Sequence, residues 1–279
     1  MTLHQVPVAN KDKVIIVGAG IGGLASSLRL SHLGYDVKVI ERANSAGGKL
    51  RTIPGSTGEI DIGPTVLTLL PIFQKLFKSV GEDIFEHVDL VRQKIIARHW
   101  WPDGTSLDLY DDFETSRDAI MNFSGSSSAI EFEKYFCDTR DLFSCFDLPV
   151  MQNPRPSILD MNRAVLSNPK ILSKMHPLRT LSSLLNYRFR DKRLRQLFGR
   201  YATYVGGSPL ESPALLSLVW QAEAQGVWSI KGGMRKLARV IEQLAKTRGA
   251  SFNYGTDIKE FNTKVDRVVS ITDTFGKKY

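Results

Sequence analysis

One stretch near the start of the chain, residues 13–41 (KVIIVGAGIGGLASSLRLSHLGYDVKVIE), constrains the fold more than any other part of the sequence. It predicts a strand over residues 14–17, a glycine-rich turn, a helix that Gly34 ends, and a second strand over residues 37–40 that runs into Glu41. The first strand is an unbroken apolar run, which predicts burial on both faces. This order of elements is the βαβ unit of a doubly wound, dinucleotide-binding fold.

The glycines of the turn make this prediction specific. Gly18 permits the tight turn after the strand, Gly20 lets a pyrophosphate approach the backbone, and Gly23 lets the helix pack closely on the strand. Gly22 belongs to the same run and to the same candidate site. The helix offers free N–H groups and the positive end of its dipole to the phosphates. Glu41, 21 residues after Gly20, is placed to accept hydrogen bonds from ribose hydroxyls.

Composition limits the classes of protein to which the chain can belong. Its 279 residues, 42% of them apolar and 24% charged, are typical of a globular protein of one or two domains. No apolar run reaches the roughly 18 residues needed to span a bilayer, so any membrane relationship is expected to be peripheral. The formal charge of +8 favours anionic partners, among them nucleic acid, an acidic lipid surface and a phosphate-bearing cofactor.

Cysteine and histidine usage predicts neither a disulfide nor a metal site. Cys137 and Cys145 fall in one predicted helix, where eight residues separate them by about 12 Å, too far for a disulfide. The five histidines show no metal-ligand spacing, and the sequence contains neither HExxH nor CxxC. A reducing, cytoplasmic setting fits this pattern.

A second glycine-containing loop follows the second strand. It combines a glycine pair with cations on both sides, at Arg42, Gly47, Gly48, Lys49 and Arg51. Such a loop lets the backbone pass close to a ligand and sets positive charge near a pyrophosphate. The alternative is an ordinary turn before the next element. Its position directly after the acid that ends the strand favours ligand binding.

Longer motifs resemble a known family. The runs GAGIGG, ER followed by GGKLR, and DIGPTVL resemble the amino-terminal half of FAD-dependent carotenoid desaturases of the bacterial phytoene-desaturase type, within the flavin amine-oxidase superfamily. The runs RHWWPDGTSLDL, FGRYATYVGGSP and QGVW…GGM are most similar to the 1-hydroxycarotenoid 3,4-desaturases, also called methoxyneurosporene dehydrogenases. The resemblance covers the chain from residue 13 to about residue 270.

The resemblance implies FAD as the cofactor and assigns roles to the second loop. In the superfamily, the glycine pair and the basic residue after it contact the FAD pyrophosphate and the flavin. This role carries over to Gly47, Gly48, Lys49 and Arg51.

Four further residues, in two segments of the chain, enter the candidate site by resemblance alone. The GPT turn lies near the isoalloxazine ring in relatives, which carries over to Gly63, Pro64 and Thr65. The strand position matched by Ile258 gives backbone contacts to the adenine in relatives. The sequence contains neither paired carboxylates nor a Ser/His/Asp set that would indicate a catalytic side chain. The catalytic residues are therefore not predicted.

The reaction implied is introduction of a C=C bond into an acyclic carotenoid, in which a hydride passes to the flavin and a proton leaves the neighbouring carbon. The substrate of the subgroup is a 1-hydroxylated acyclic carotene, and the bond formed is C3–C4. Alternatives are phytoene desaturase, a carotene isomerase, a flavin amine oxidase, or an inactive FAD-binding remnant. An NAD(P)-binding reductase would share the first 41 residues but would leave GGKLR and DIGPT unexplained.

The predicted fold class is α/β, with a Rossmann-like FAD-binding domain and an inserted α+β domain that faces substrate or membrane. The predicted order is a loose tail (1–10), the first FAD-binding segment (11–70), the inserted domain (71–224) and an incomplete returning FAD-binding segment (225–279). Within the inserted domain, Pro102-Asp103-Gly104 predicts the turn of a β-hairpin.

A basic stretch in the inserted domain suggests a membrane contact. Residues 170–200 hold nine Lys or Arg against one acid, Asp191, with apolar residues at helical spacing. A basic amphipathic segment fits an anionic membrane interface, although a solvated helix face gives the same pattern. The resemblance favours the membrane and implies a peripheral, cytoplasmic location on the inner face of a bacterial membrane. No nucleic-acid-binding motif accompanies the charge.

The family pattern extends further than this chain. Relatives continue well beyond residue 279, with another strand of the nucleotide-binding sheet, much of the substrate cavity and a Gly/Asp-containing motif on the FAD. We therefore expect an amino-terminal fragment, whose partner would be the missing carboxyl-terminal half.

Overall fold

The computed structural model describes residues 12–279, so the loose tail predicted over residues 1–10 lies outside the described residues. The chain divides into two compact units. Unit 1 combines the described residues up to Val91 with Trp228–Tyr279, and unit 2 is Arg92–Val227. Each unit contains a hydrophobic core of its own.

The helices and strands are numbered in chain order. Unit 1 begins with β1 (Lys13–Val17), α1 (Ile21–His32), β2 (Asp36–Ile40), β3 (Thr52–Gly55), β4 (Gly58–Asp61), α2 (Leu70–Lys78), α3 (Ile84–His87) and β5 (Leu90–Arg92), whose last residue belongs to unit 2. Unit 2 continues with β6 (Ile95–Trp100), β7 (Ser106–Tyr110), α4 (Phe113–Ser124), α5 (Ser126–Phe146), a π-helical turn (Asp147–Met151), α6 (Ile158–Ser167), α7 (Ile171–Met175), α8 (Leu181–Arg188), α9 (Lys192–Gly199), two 3₁₀ helices (Arg200–Val205, Ala214–Trp220) and α10 (Gln221–Ala224). Unit 1 resumes with β8 (Trp228–Ile230), α11 (Arg235–Thr247), β9 (Ser251–Asn253), β10 (Ile258–Lys264) and β11 (Arg267–Asp273).

Unit 1 is built on a three-stranded parallel sheet in the order β1–β2–β9. Helices α1 and α11 pack together, and their leucines join Val37 and Val39 of β2 in one core. Gly34, with φ 90°, ends α1: its N–H donates to Ser31 O and the N–H of Tyr35 donates to Leu30 O. The βαβ unit predicted from residues 13–41 is confirmed.

The burial predicted for the first strand is wrong. Ile15 and Val17 are 38% and 46% exposed, whereas Ile16 packs against the core of unit 1. Successive side chains of a strand lie on opposite faces of the sheet. The face that carries Ile16 is therefore partly buried and the other face is exposed. An apolar run shows that a strand can be buried, but it does not show whether another element covers it.

The inner boundaries of unit 1 differ from the predicted ones. The first FAD-binding segment was expected to end at residue 70, yet unit 1 runs on to Val91. Phe77, Val80 and Ile84 are buried in its core, which attaches α2 and α3 to unit 1. The chain returns at Trp228, three residues after the predicted position at 225.

Unit 2 has an aromatic core beneath the β6–β7 hairpin. The hairpin is confirmed, with Trp100 opposite Ser106 across the Pro102-Asp103-Gly104 turn. The core stacks Phe189 on Phe198 at 5.2 Å between ring centroids, together with rings from α5 and Trp220. Among residues 12–279, no helix combines the length and apolar character needed to cross a membrane.

The apolar residues that keep helical spacing in the later part of the basic stretch are buried in unit 2, and all of them except Leu184 belong to this core. They are fully or almost fully buried at Leu181, Leu184, Leu185, Phe189, Leu194, Leu197, Phe198 and Tyr201. The helical spacing was predicted correctly, but the apolar stripe packs inside unit 2 and is not available to lipid. The interpretation of this stripe as a membrane-contacting face is corrected accordingly.

Candidate cofactor site

The turn between β1 and α1 uses its glycines for two different reasons. Gly18 has φ 99°, which favours glycine, and a Cβ on Gly23 would lie 2.0 Å from the carbonyl oxygen of Gly18. Gly20 and Gly22 lack such constraints: the nearest atom to a Cβ on Gly20 is 4.0 Å away, and a Cβ on Gly22 would enter open space. Protein sterics therefore do not require glycine at residues 20 and 22, and the missing side chains leave room for a ligand.

The amino terminus of α1 is open to an anion. Gly20 is its N-cap residue, no side chain among residues 12–279 caps the helix, and no acidic residue lies in its first turn. The free N–H groups and the positive end of the helix dipole are therefore available to a phosphate group.

The second glycine loop packs directly on this turn. The N–H of Gly47 donates to Ala19 O at 2.9 Å, and a Cβ on Gly48 would lie only 2.9 Å from the Cα of Gly20. Gly47 and Gly48 have φ values of 128° and 60°, so both adopt conformations that favour glycine. The structure thus brings the two predicted glycine motifs together, backbone against backbone.

Glu41 joins these two loops from the end of β2. The side chain is buried; its Oε2 accepts the N–H of Ala19 at 2.6 Å, and its Oε1 accepts the N–H of Ala43 at 2.8 Å. Each carboxylate oxygen can accept a second hydrogen bond. The contact with ribose hydroxyls stays a prediction, and the structure adds a role in fixing the loops.

The remaining predicted residues of the second loop and of the GPT turn lie side by side. Arg51 O accepts the N–H of Ile62 at 2.9 Å, and a Cβ on Gly63 would lie 1.9 Å from the carbonyl oxygen of Lys49. The side chains of these segments are exposed at Arg42, Lys49, Arg51, Pro64 and Thr65. Their cations are free to meet an anionic ligand.

Ile258 begins β10, opposite Asp273 of β11. The residues just before it reach the site: the N–H of Gly255 donates to Ala43 O at 3.1 Å, and the N–H of Thr256 donates to Glu41 O at 3.0 Å. Ile258 is thus two residues beyond a direct contact with Glu41, and its adenine contact stays a prediction. The Gly-Thr pair between β9 and β10 was the available signal for this contact.

Sequence reasoning missed a second group of residues, around the start of α11. Arg235 hydrogen-bonds to Ser45 and Thr52, and the Met234 N–H donates to Asp61 Oδ2 at 2.9 Å. A cavity of about 170 Å³ opens beside them, lined by Ala43, Ser45, Ala46, Gly48, Leu50, Arg51, Thr52 and Arg235. The KGGM run before α11 was the only hint in the sequence.

Sequence spacing did not reveal one cluster of side chains of the kinds that bind metal ions. Glu82, Glu86 and His87 bring ligand atoms within 4.8 Å of one another. Arg248 Nη2 donates to Glu82 at 2.5 Å and His87 Nε2 lies 2.8 Å from it, so hydrogen bonds from these two side chains lower the pKa of Glu82. Two of the three members, Glu82 and His87, therefore belong to an ion-pair network with Arg248.

Comparison with known protein families identifies the fold. The sequence profile described as flavin containing amine oxidoreductase matches residues 21–279. The chain belongs to this flavin amine oxidoreductase family. Its members contain flavin, which agrees with the FAD predicted from the sequence. The α/β fold class predicted for this chain is confirmed.

Curated proteins that are similar to this chain include two hydroxyneurosporene desaturases. Hydroxyneurosporene desaturase of Cereibacter sphaeroides is 44% identical over 95% of this chain and 54% of its own length. The Rhodobacter capsulatus protein of the same name is 41% identical over 94% of this chain and 53% of its own length. The chain therefore spans about half the length of the curated relatives it matches.

Solved structures of the amine oxidoreductase fold agree at lower identity. An oxidoreductase from Methanosarcina mazei superimposes with a TM-score of 0.61 at 17% identity, over 96% of this chain and 56% of that one. Wild-type putrescine oxidase bound to putrescine gives a TM-score of 0.61 at 15% identity over the same shares. At this identity the likeness shows the fold alone.

The residues present fit FAD. The absent side chain at Gly20 leaves the turn open, Gly48 lets the second loop pack on that turn, the amino-terminal end of α1 is open, and Glu41 follows the second strand. These are the features that a dinucleotide diphosphate and ribose require.

Proposed function

We propose that this chain forms the FAD-binding part of an oxidoreductase that introduces a C=C bond into an acyclic carotenoid. The observation that carries the proposal is the 36% to 44% identity to three hydroxyneurosporene desaturases across 94% to 95% of this chain. The specific reaction proposed is C3–C4 desaturation of a 1-hydroxylated carotenoid. Phytoene desaturation, another flavin amine-oxidase reaction, or an inactive FAD-binding remnant are the alternatives.

The residues of the chain bind and orient the cofactor in this proposal. The N–H groups at the start of α1 bind the diphosphate, while Gly20 and Gly48 let it approach the backbone. Lys49 and Arg51 balance its charge, and Glu41 accepts from the ribose. When bound, FAD supplies a two-electron acceptor for the hydride that leaves the carotenoid.

The activity is proposed to need more than this chain. The relatives contain about as much sequence again beyond the part matched here, and we assign the remainder of the substrate site to a carboxyl-terminal half.

The test separates cofactor binding from turnover. The 279-residue chain is titrated with FAD, and flavin absorption is followed after gel filtration. The loaded chain is then incubated with a 1-hydroxylated acyclic carotenoid in vesicles, with and without the carboxyl-terminal half of the Cereibacter sphaeroides desaturase. We expect a product of longer absorption wavelength only when both halves are present. FAD binding without product in either mixture would favour the remnant.

We also propose that unit 2 rests on an anionic membrane surface, on the cytoplasmic face. Support comes from α6, which has no buried residue and exposes Ile158, Leu159 and Leu166. Leu178, downstream of it, is fully exposed. The same stretch carries the exposed cations Arg155, Arg163 and Lys170. An apolar face bordered by cations is suited to the interface of an anionic bilayer.

This proposal is tested by sedimentation with vesicles. We expect the chain to bind vesicles that contain phosphatidylglycerol and to bind pure phosphatidylcholine more weakly. The double variant Leu159→Ser/Leu166→Ser should lose most of the binding, because two apolar side chains no longer enter the interface. Leu210→Ser, an equally exposed leucine of unit 2, is the matched control and should bind like wild type. Equal binding by both variants would contradict the assignment to α6.

A further inference from the structure

Arg235, the first residue of α11, contacts both ends of the second glycine loop. Its Nη1 donates to Thr52 Oγ1 at 2.7 Å, and its Nη2 donates to Ser45 Oγ at 3.0 Å. Ser45 and Thr52 flank the loop, and residues 46–51 with the Gly47-Gly48 pair lie between them. The Arg235 side chain is only 21% exposed. One guanidinium therefore joins the two ends of the loop to the same helix.

The start of α11 is a firm support for this contact. The Met234 N–H donates to Asp61 Oδ2 at 2.9 Å, which fixes the helix end to β4. Gly233 has φ 86°, and a Cβ there would lie 2.9 Å from Asp61, so this approach depends on glycine. One turn further, the Cβ of Ala238 lies 3.7 Å from the position of a Cβ on Gly47. The helix thus contacts the middle of the loop as well as its ends.

The loop needs such a restraint. Gly47 and Gly48 both have positive φ, and glycine loses more conformational entropy on ordering than any other residue. The contact of Gly48 with Gly20 joins the second glycine loop to the turn before α1, and we call these two segments together the cofactor cradle. This contact therefore depends on groups that hold the loop in place. A planar guanidinium can donate to two separated hydroxyls at once, whereas a lysine ammonium acts as a point charge.

We propose that Arg235 is a positioning residue for the cofactor site. By bridging Ser45 and Thr52, it holds the Gly47-Gly48 loop against the turn that precedes α1, so that the cradle is formed in the absence of FAD. The proposal rests on the FAD site of the proposed function and is independent of the carotenoid reaction.

The first test is FAD affinity in the 279-residue chain. Arg235→Gln should bind FAD roughly tenfold more weakly, because two charge-assisted hydrogen bonds are lost. Arg235→Lys should fail to restore full affinity, since it cannot serve both hydroxyls. Arg239→Gln is the matched control: Arg239 lies one turn along α11 and contacts Glu59, as Arg235 does, but not the loop. Equal losses in Arg235→Gln and Arg239→Gln would overturn the proposal.

A combined variant tests whether Arg235 acts through the two hydroxyls. Ser45→Ala/Thr52→Val should weaken FAD binding about as much as Arg235→Gln does. The triple variant should be no weaker than Arg235→Gln, because all three changes break the same bridge. Additive losses would contradict the proposal, since Arg235 would then act by another route.

Hydrogen exchange of the FAD-free chain provides a readout that does not need cofactor. Amides of residues 45–52 should exchange faster in Arg235→Gln than in wild type, while those of β1 and β2 should keep the wild-type rate. Arg239→Gln should match wild type throughout. Unchanged exchange of residues 45–52 in Arg235→Gln would overturn the proposal even if the carotenoid reaction were established. Faster exchange would support it even if that reaction failed.

Discussion

At the scale of single residues, the glycines of the cofactor cradle are required for two different reasons. Gly23 is required by the protein itself, because a side chain there would overlap the carbonyl oxygen of Gly18. Gly20 meets no such obstacle, and its backbone has φ −71°, which any residue can adopt. The two glycines belong to one short motif, yet only Gly20 is explained by a ligand.

Alanine substitutions should separate these two reasons. Gly23→Ala should lower the free energy of unfolding by about 2–3 kcal/mol, because the turn must move to admit a Cβ. Gly20→Ala should leave stability almost unchanged and weaken FAD binding at least tenfold, because the added methyl blocks the approach of the diphosphate. Urea unfolding and FAD titration measure the two effects. Normal FAD affinity in a folded Gly20→Ala variant would contradict the assignment.

The sequence allowed prediction of those site residues that are close along the chain. Gly18, Gly20 and Glu41 belong to one short motif whose spacing is set by a single βαβ unit. The contacts of Met234 and Arg235 span 173 to 190 residues, and no local pattern records them. These contacts were missed because the tertiary fold, and not the local sequence, determines which residues Met234 and Arg235 meet.

At the scale of elements, the basic stretch shows what helical spacing leaves open. The spacing correctly indicated an apolar face on α8 and α9, but the aromatic core of unit 2 covers that face. Helical periodicity identifies an apolar surface that must be buried, but it does not show whether protein or lipid buries it. The one acid of the stretch, Asp191, has a local role, because it caps α9 by accepting the Arg193 N–H at 2.8 Å.

The cap of α9 should contribute stability that depends on pH. The Arg193 guanidinium and the Ser124 hydroxyl hydrogen-bond to Asp191 and hold its pKa well below its usual range. Because the folded-state pKa is depressed, this stability is complete above the unfolded pKa, near 4, and is lost as pH falls toward the folded value. Asp191→Asn should therefore lower the free energy of unfolding by about 1–2 kcal/mol at pH 7.

Urea unfolding at pH 7 and at pH 3 checks this prediction. The difference between wild type and Asp191→Asn should shrink at the lower pH. Asp112→Asn provides a second case: Asp112 caps α4 through Thr115, whose hydroxyl and N–H also lower the pKa of the Asp112 carboxyl, so the difference between wild type and this variant should shrink at pH 3 as well. A difference that is the same at both pH values would show that the charge of Asp191 is not the cause.

At the scale of the whole molecule, unit 2 is an insertion whose ends lie side by side. Strands β5 and β8, which flank it, pair in one two-stranded sheet. The Gln93 N–H donates to Val227 O at 2.8 Å, just inside the two ends. The return of an α/β pattern near residue 225 made the insertion predictable, whereas the extent of unit 1 beyond residue 70 depended on which core α2 joins.

Replacing residues 92–227 with a short Asn-Gly turn should yield a folded unit 1. The ends are already adjacent and the described hydrophobic core of unit 1 is formed by residues of that unit, so the shortened chain should be monomeric and bind FAD. Circular dichroism, gel filtration and FAD titration check this outcome, with Gly20→Ala in the same shortened chain as the control. Aggregation, or failure to bind FAD, would show that unit 1 depends on unit 2.

The two amide hydrogen bonds of Glu41 bear on when the flavin is acquired. A buried carboxylate without partners is costly, so a site whose acid met only the cofactor would be unstable in its absence. Here Ala19 and Ala43 satisfy the acid from within the chain. A newly synthesised polypeptide can therefore fold the part of the site around Glu41 when riboflavin is scarce, and can bind flavin later. We expect cells starved of riboflavin to accumulate intact apoprotein that regains its colour when the vitamin returns.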